Sequence, residues 1–187
     1  THDPADAHAL ADRVVVLERG LISQQGDLLE ITAHPRSRYI AELVGTNLVA
    51  GMVRAGVLTA DTGAPVVVPG DTPDGPSLAS IRPTAIALHR HQPEGSPRNV
   101  WSMEVLDVDR VGDRVRVRLG GPLPLVAELT PAGLAALELG PDGQVWASLK
   151  ASEIVVQPAE LTAPADPVRA AATPPGQGVC GKPGPGQ

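Results

Sequence analysis

The middle of the chain, from about residue 46 to 156, is a succession of short apolar runs separated by Gly, Pro and Asp, which limits the fold to short strands. The clearest run is residues 114–119, where three arginines alternate with Val115, Val117 and Leu119. Strict alternation places one set of side chains against a core and the other toward water or a partner. Strands are also predicted over residues 48–53, 57–60, 65–68, 78–88, 100–111 and 125–129, and a closing pair of strands over 144–156.

One helix is predicted among these strands, over residues 131–139, because Thr130 can cap it and Pro131 suits its first turn. Many short strands with one connecting helix predict a mainly β fold, a small closed barrel of the OB kind. The pattern also allows two barrel-like halves that meet near Pro93, although no sequence repeat is obvious.

The first 45 residues have a different, α/β pattern. A buried strand is predicted over residues 14–18, an apolar run that ends at Arg19-Gly20. A second strand is predicted over residues 21–25, with helices over 5–11, 28–32 and 37–44. These elements cannot cover both faces of a sheet, so we expect residues 1–45 to be the end of a larger α/β domain. Residues 46–157 would then form the β-barrel region, followed by a disordered Pro/Gly-rich tail over 158–187.

Composition excludes several classes of function. The net charge of −6 gives no overall attraction for nucleic acid or anionic lipid, so any bound anion must be captured locally. With no Phe, one Tyr and two Trp, a stacking surface for single-stranded nucleic acid is not expected. Cys180 is the only cysteine, which excludes an intramolecular disulfide framework and favours a reduced, cytoplasmic setting. No apolar run approaches the roughly 20 residues that span a bilayer.

Two segments carry a candidate binding chemistry: Ser96-Pro97-Arg98-Asn99 and Lys150-Ala151-Ser152 frame one β stretch and place hydroxyls and positive charge at both of its ends. Lys150 stands out because the chain has only one other lysine, in the tail. Taking a tetrahedral dianion out of water requires many hydrogen bonds and compensating charge. The two segments therefore predict a site for a small oxyanion.

Three groups of residues resemble known families. The first part of the chain resembles the end of the nucleotide-binding domain of ABC importer ATPases, at Thr1-His2-Asp3, residues 11–20, Gln25-Gly26, His34-Pro35 and Tyr39-Ile40-Ala41. The region after Gly45 resembles the appended TOBE region of the same ATPases, through Gly51, Ile81-Arg82-Pro83 and Ile86. Within that region, the chain resembles the Mop-type molybdate-binding module at Ser96-Pro97-Arg98-Asn99, Ala127-Glu128-Leu129-Thr130 and Lys150-Ala151-Ser152. These matches run from residue 1 to about 158.

The resemblance implies the C-terminal part of the ATP-binding subunit of a molybdate importer. Lys150 would supply charge to molybdate or tungstate, and Arg98 would join or orient the site. The remaining implied oxyanion-binding residues are Ser96, Asn99, Thr130, Ala151 and Ser152. Such modules pair and hold anions between subunits, so a homodimer is implied. Pro97 departs from the family pattern, which more often has alanine there, and proline removes one N–H donor.

In the complete family member, the histidine at the position of His2 is the switch histidine that contacts the γ-phosphate of ATP. The subunit, with ATP and Mg²⁺, would work beside a membrane permease at the cytoplasmic face of the membrane. This chain has no G-x-x-x-x-G-K-[ST] loop, so we expect that it does not hydrolyse ATP alone.

Simpler interpretations of these residues also fit the sequence. Lys150 and Arg98 could be solvated charges at strand ends, and Thr130 simply a helix cap. His89 and His91 alternate on one strand, but a zinc site needs a third ligand, so no metal site is predicted. The arginines of 114–119 fit a solvated or inter-subunit face better than a nucleic-acid surface. The barrel could also be a purely structural or regulatory appendage of an importer for another solute such as sulfate, or belong to a free-standing molybdate-binding protein.

Overall fold

The computed structural model of the protein describes residues 11–139 and 143–159. His2, most of the helix expected over residues 5–11 and all but the first two residues of the expected tail lie outside the described residues.

A hairpin and two short helices open the described chain. Strands β1 (Val14–Glu18) and β2 (Leu21–Gly26) pair antiparallel, and Arg19 and Gly20 both have positive φ, as a tight hairpin turn requires. Helix α1 (Leu28–Ala33) is capped by Asp27, and α2 (Arg38–Val44) is capped by Ser37 and ends at Gly45 with φ of 72°. The two predicted helices are thus confirmed to within a residue at each end.

The prediction of a buried first strand is wrong in one respect. Val16 is buried with Ile31 and Ile40 of the helices, but Val15 and Leu17 are 52% and 60% exposed. The helices pack against one face of the two-stranded hairpin, so the other face of this apolar run is left uncovered.

Ten strands follow in two five-stranded antiparallel sheets, and the mainly β prediction is confirmed. The strands are β3 (Asn47–Arg54), β4 (Val57–Ala60), β5 (Pro65–Val67), β6 (Gly75–Ile81), β7 (Ala87–His89), β8 (Asn99–Val111), β9 (Arg114–Gly120), β10 (Leu125–Leu129), β11 (Gln144–Leu149) and β12 (Ile154–Pro158). Helix α3 (Pro131–Leu137) begins after the Thr130 cap, as predicted. Two 3-10 turns, Pro83–Ala85 and Ala151–Glu153, precede β7 and β12. The first of them interrupts the strand predicted over 78–88.

The order of the strands shows two similar halves that exchange their last strands. The first sheet is ordered β12-β6-β3-β4-β5 and the second β7-β11-β8-β9-β10. We call β3–β7 the first half and β8–β12 the second half. Each sheet therefore holds four strands of one half and the final strand of the other. One continuous core lies between the sheets, and it includes Val53, Ile81, Met103, Leu119 and Leu149.

Two buried asparagines stand at equivalent places in the halves and tie them together. Asn47 opens β3, and its side chain donates to Ile81 O and Val126 O and accepts from Val126 N. Asn99 opens β8, and its side chain accepts from Val67 N at 2.7 Å and donates to Val67 O at 2.9 Å. Each asparagine thus satisfies backbone groups on a strand of the other half.

The arginines of β9 lie on the outer face, and the alternating valines and leucine are fully buried, as the alternation predicts. Each of these arginines has a carboxylate partner. Arg118 pairs with Asp107, Arg116 lies 3.4 Å from Glu128, and Arg114 lies 3.9 Å from Asp113. Because the charges are paired, this face presents little net positive charge.

Candidate functional site

The two predicted oxyanion segments come together at one end of the second sheet. Asn99 of β8 pairs with Leu149 of β11, so Arg98 and Lys150 are the next residues outward on two neighbouring antiparallel strands. Both residues lie one position beyond the last paired residues of the ladder, Asn99 and Leu149. Ser96 and Ser152 follow within two residues. We call Ser96, Arg98, Lys150 and Ser152 the strand-end cluster.

The charges of the strand-end cluster are free to act on a ligand. Arg98 and Lys150 are exposed, and within the described residues neither forms an ion pair or a side-chain hydrogen bond. Ser96 and Ser152 are likewise exposed, and their hydroxyls have no hydrogen-bond partner among the described residues. Two neighbouring cations without a counter-charge repel each other, and a bound anion would relieve that repulsion.

Asn99 and Ala151 contribute in different ways from the side-chain donors. Asn99 is 3% exposed, and its amide is bonded to Val67, so it anchors the strand that carries Arg98. Ala151 opens the 3-10 turn that Glu153 N closes on Lys150 O at 3.0 Å. The first N–H groups of such a turn have no partner within it, which leaves those of Ala151 and Ser152 as further donors.

Thr130 lies elsewhere in the same chain. Leu129 pairs with Val115, and Val115 pairs with Arg110. Leu129 is therefore level with Arg110, which lies eleven residues beyond Asn99 along β8. Thr130 is the next residue after Leu129. Eleven residues of strand span about 35 Å along the chain. Its Oγ1 accepts a hydrogen bond from Gly133 N at 3.0 Å, and the hydroxyl proton stays available. A single chain therefore places Thr130 at the opposite end of the sheet from the strand-end cluster.

The equivalent end of the first half carries Arg82, which sequence reasoning did not place in the site. Arg82 and Lys150 each precede a 3-10 turn, with nearly the same backbone angles. Arg82 differs from Lys150 in having a counter-charge, because its Nη2 lies 3.1 Å from Glu153 Oε2. The weak likeness of Ile81-Arg82-Pro83-Thr84 to Leu149-Lys150-Ala151-Ser152 is the signal that could have revealed this relation.

A cavity of about 360 Å³ lies between α2 and the second sheet, away from the strand-end cluster. It is lined by Arg38 and Glu42 of α2, by Thr46 and Asn47, and by Arg116 and Val126 of the second sheet, among others.

His89 makes a structural contact, since its Nε2 lies 2.8 Å from Ser148 Oγ. Among the described residues, no three His, Cys, Asp or Glu side chains are grouped as a metal ion would require. In the same ranges, no helix combines the length and apolar character needed to cross a bilayer.

Comparison with protein families and solved structures identifies similar proteins. Residues 95–156 match the TOBE domain family. A cytoplasmic molybdate-binding protein, ModG, crystallised with molybdate, has a similar fold, with a TM-score of 0.52 and 18% sequence identity over 60% of this chain and 95% of that one.

The chain is also similar to ATP-binding proteins of importers. It is 39% identical to the molybdenum import ATP-binding protein ModC of Mycobacterium tuberculosis over 85% of this chain and 45% of that protein. It is 32% identical to the molybdate/tungstate import protein WtpC of Pyrococcus abyssi, over 83% and 45%. It is 36% identical to the sulfate/thiosulfate import protein CysA 2 of Chromobacterium violaceum, over 86% and 45%. The chain thus spans about half the length of these curated relatives.

Proposed function

Because the chain is similar to molybdate-type ATP-binding proteins of importers and matches the TOBE domain family over residues 95–156, we propose that it is the C-terminal part of such a subunit and that its β-barrel binds molybdate at the strand-end cluster. The observation that carries this proposal is the position of Arg98 and Lys150 at neighbouring strand ends, where neither cation has a counter-charge in the described part of the chain. The barrel would then sense the transported oxyanion and regulate the importer. We also propose the domain division given above, with residues 1–45 as the end of the nucleotide-binding domain.

The chemistry of the cluster suits a tetrahedral dianion. Two positive charges balance its two negative charges, and hydroxyl and backbone N–H groups can donate to its four oxygens. Because the whole chain has a net charge of −6, this local positive charge is needed to hold an anion. Tungstate has the same shape and charge as molybdate, so the cluster would bind both.

A second copy of the chain would complete the site. Thr130 lies at the far end of its own sheet, and in the proposed homodimer it would donate its free hydroxyl proton to an anion at the strand-end cluster of the partner. Two equivalent sites would then form about the two-fold axis, because each copy offers one cluster and one Thr130.

In the complete subunit, ATP and Mg²⁺ would be bound by parts of the nucleotide-binding domain that precede this region, with His2 at the γ-phosphate. The subunit would act at the cytoplasmic face of the membrane, with a permease as its partner. The relatives are importer ATP-binding proteins, which supports this placement.

Isothermal titration of the chain with molybdate tests the proposal. We expect binding in the wild type and a loss of at least about tenfold in affinity in Lys150→Gln, because one charge-assisted contact to a dianion is removed. Arg54→Gln is the matched control, since Arg54 is an exposed arginine at the β3–β4 turn and its loss removes the same charge. A wild-type chain that is dimeric and binds no molybdate would refute the proposal.

A second candidate function is favoured by the similarity to the sulfate/thiosulfate import protein. In this alternative the barrel is a structural and regulatory element of an importer for another solute. Titration with sulfate under the same conditions separates the two: sulfate bound more tightly than molybdate, with the same dependence on Lys150, would favour the alternative.

A further inference from the structure

We propose that Arg82, in the first half, is a positioning residue for the oxyanion site of the second half. In this role Arg82 holds the carboxylate of Glu153 and keeps it from pairing with Lys150. This inference rests on the proposed oxyanion site, and it names a residue that acts on that site from the other half of the molecule.

The strand exchange brings Arg82 and Glu153 together. Ile81 at the end of β6 pairs with Ile154 at the start of β12, so the residues just beyond them, Arg82 and Glu153, are neighbours. Arg82 Nη2 lies 3.1 Å from Glu153 Oε2. Each half thus supplies one partner of this ion pair.

Without Arg82, the obvious partner of the Glu153 carboxylate is Lys150. The 3-10 turn brings Glu153 N to within 3.0 Å of Lys150 O, and residues three apart in such a turn lie on the same side of it. A Glu153–Lys150 pair would consume the charge that the oxyanion needs. An unpaired Glu153 carboxylate would also repel a dianion held at Lys150 and Ser152.

The turn of the first half differs from that of the second half in having no acidic residue. The first-half turn, Pro83–Ala85, has Ala85 where the second half has Glu153, so no acid faces Arg82 from within its own turn. Glu153 is therefore the one acidic residue in either turn, and it is directed to the cation of the other half. The consequence is that Arg82 is neutralised, while Lys150 has no counter-charge within the described ranges and can bind a ligand.

The test is titration with sodium molybdate of the full chain and of four variants: Arg82→Gln, Arg82→Lys, Glu153→Gln and the double variant Arg82→Gln/Glu153→Gln. We expect Arg82→Gln to weaken binding about fivefold at low salt, because a nearby carboxylate becomes free to compete. Glu153→Gln and the double variant should bind as tightly as the wild type or more tightly. Arg82→Lys should keep wild-type affinity to within about twofold, since it retains the charge.

Wild-type affinity in Arg82→Gln would overturn the inference, as would a double variant that binds as weakly as Arg82→Gln. A second readout needs no ligand. Because the chain has only two lysines, NMR spectra with isotope-labelled lysine separate Lys150 from Lys182. The Lys150 side-chain signal should shift in Arg82→Gln and return in the double variant. A wild-type chain that binds no molybdate would refute the proposed function, and an unshifted Lys150 signal in Arg82→Gln would refute the charge competition.

Discussion

Asn99→Ala should destabilise the barrel by about 3 kcal/mol. Asn99 is 3% exposed, and its side chain makes two hydrogen bonds, with Val67 N at 2.7 Å and Val67 O at 2.9 Å. Each such bond contributes about 1 kcal/mol, and leaving its backbone partner unpaired adds a desolvation cost, so the total for two groups is about 3 kcal/mol. The loss is larger than for an ordinary surface change because the Asn99 side chain is buried where the two halves meet.

Urea unfolding at a fixed protein concentration measures this effect. With an m value of about 2 kcal/mol per molar urea, the unfolding midpoint should fall by about 1.5 M. Ser102→Ala is the control, since Ser102 is exposed on the same strand and its loss should change stability by less than about 0.5 kcal/mol. An Asn99→Ala variant that unfolds at the wild-type midpoint would show that the Asn99 bonds do not join the halves.

Three further changes have expected outcomes. Gly51→Ala should cost at least about 3 kcal/mol, measured by urea unfolding, because the added Cβ would lie 2.2 Å from Thr59 O and force β3 and β4 apart. Ser80→Ala should leave the melting temperature unchanged or raise it, because the buried Ser80 hydroxyl has no hydrogen-bond partner. Arg118→Gln should cost no more than about 0.5 kcal/mol, and less at high salt, because its pair with Asp107 is exposed.

The glycine and serine predictions each have a matched comparison. Gly56→Ala meets no atom within 4 Å, so it should cost only the strain of its positive φ, about 1 kcal/mol. Ser148→Ala removes the hydrogen bond to His89 and should lower the melting temperature where Ser80→Ala does not. Equal losses in Gly51→Ala and Gly56→Ala, or in the two serine variants, would contradict the reasoning from contacts.

Local sequence patterns were enough to predict most of the strands and helices and the two segments that form the strand-end cluster. Alternation identified the faces of β9, and the caps of α1 and α3 placed their first residues. The segments with Arg98 and Lys150 were recognised from their residue types at the two ends of one β stretch. These features depend on neighbours within a few residues, which the sequence displays directly.

The strand exchange and the places of Asn99 and Thr130 depend on contacts between distant parts of the chain. The exchange of β7 and β12 between the halves could not be predicted, because strand pairing over such separations leaves no local pattern in the sequence. Asn99 was expected at the anion, but the opposite half supplies backbone groups that occupy its side chain. Thr130 was grouped with Lys150 by resemblance, whereas the register of β8, β9 and β10 places it at the other end of the sheet.

The sequence alone therefore established which segments are strands and helices and which residues carry the charge for an oxyanion, because periodicity, caps and residue chemistry are local properties. Only the tertiary structure decided which cations are free. Arg82 and Lys150 stand at equivalent places in the two halves, yet the exchanged strands bring Glu153 to Arg82 and leave Lys150 without a counter-charge among residues 11–139 and 143–159. The physical reason is that an ion pair depends on distance in space, and the fold sets that distance through residues about 70 positions apart.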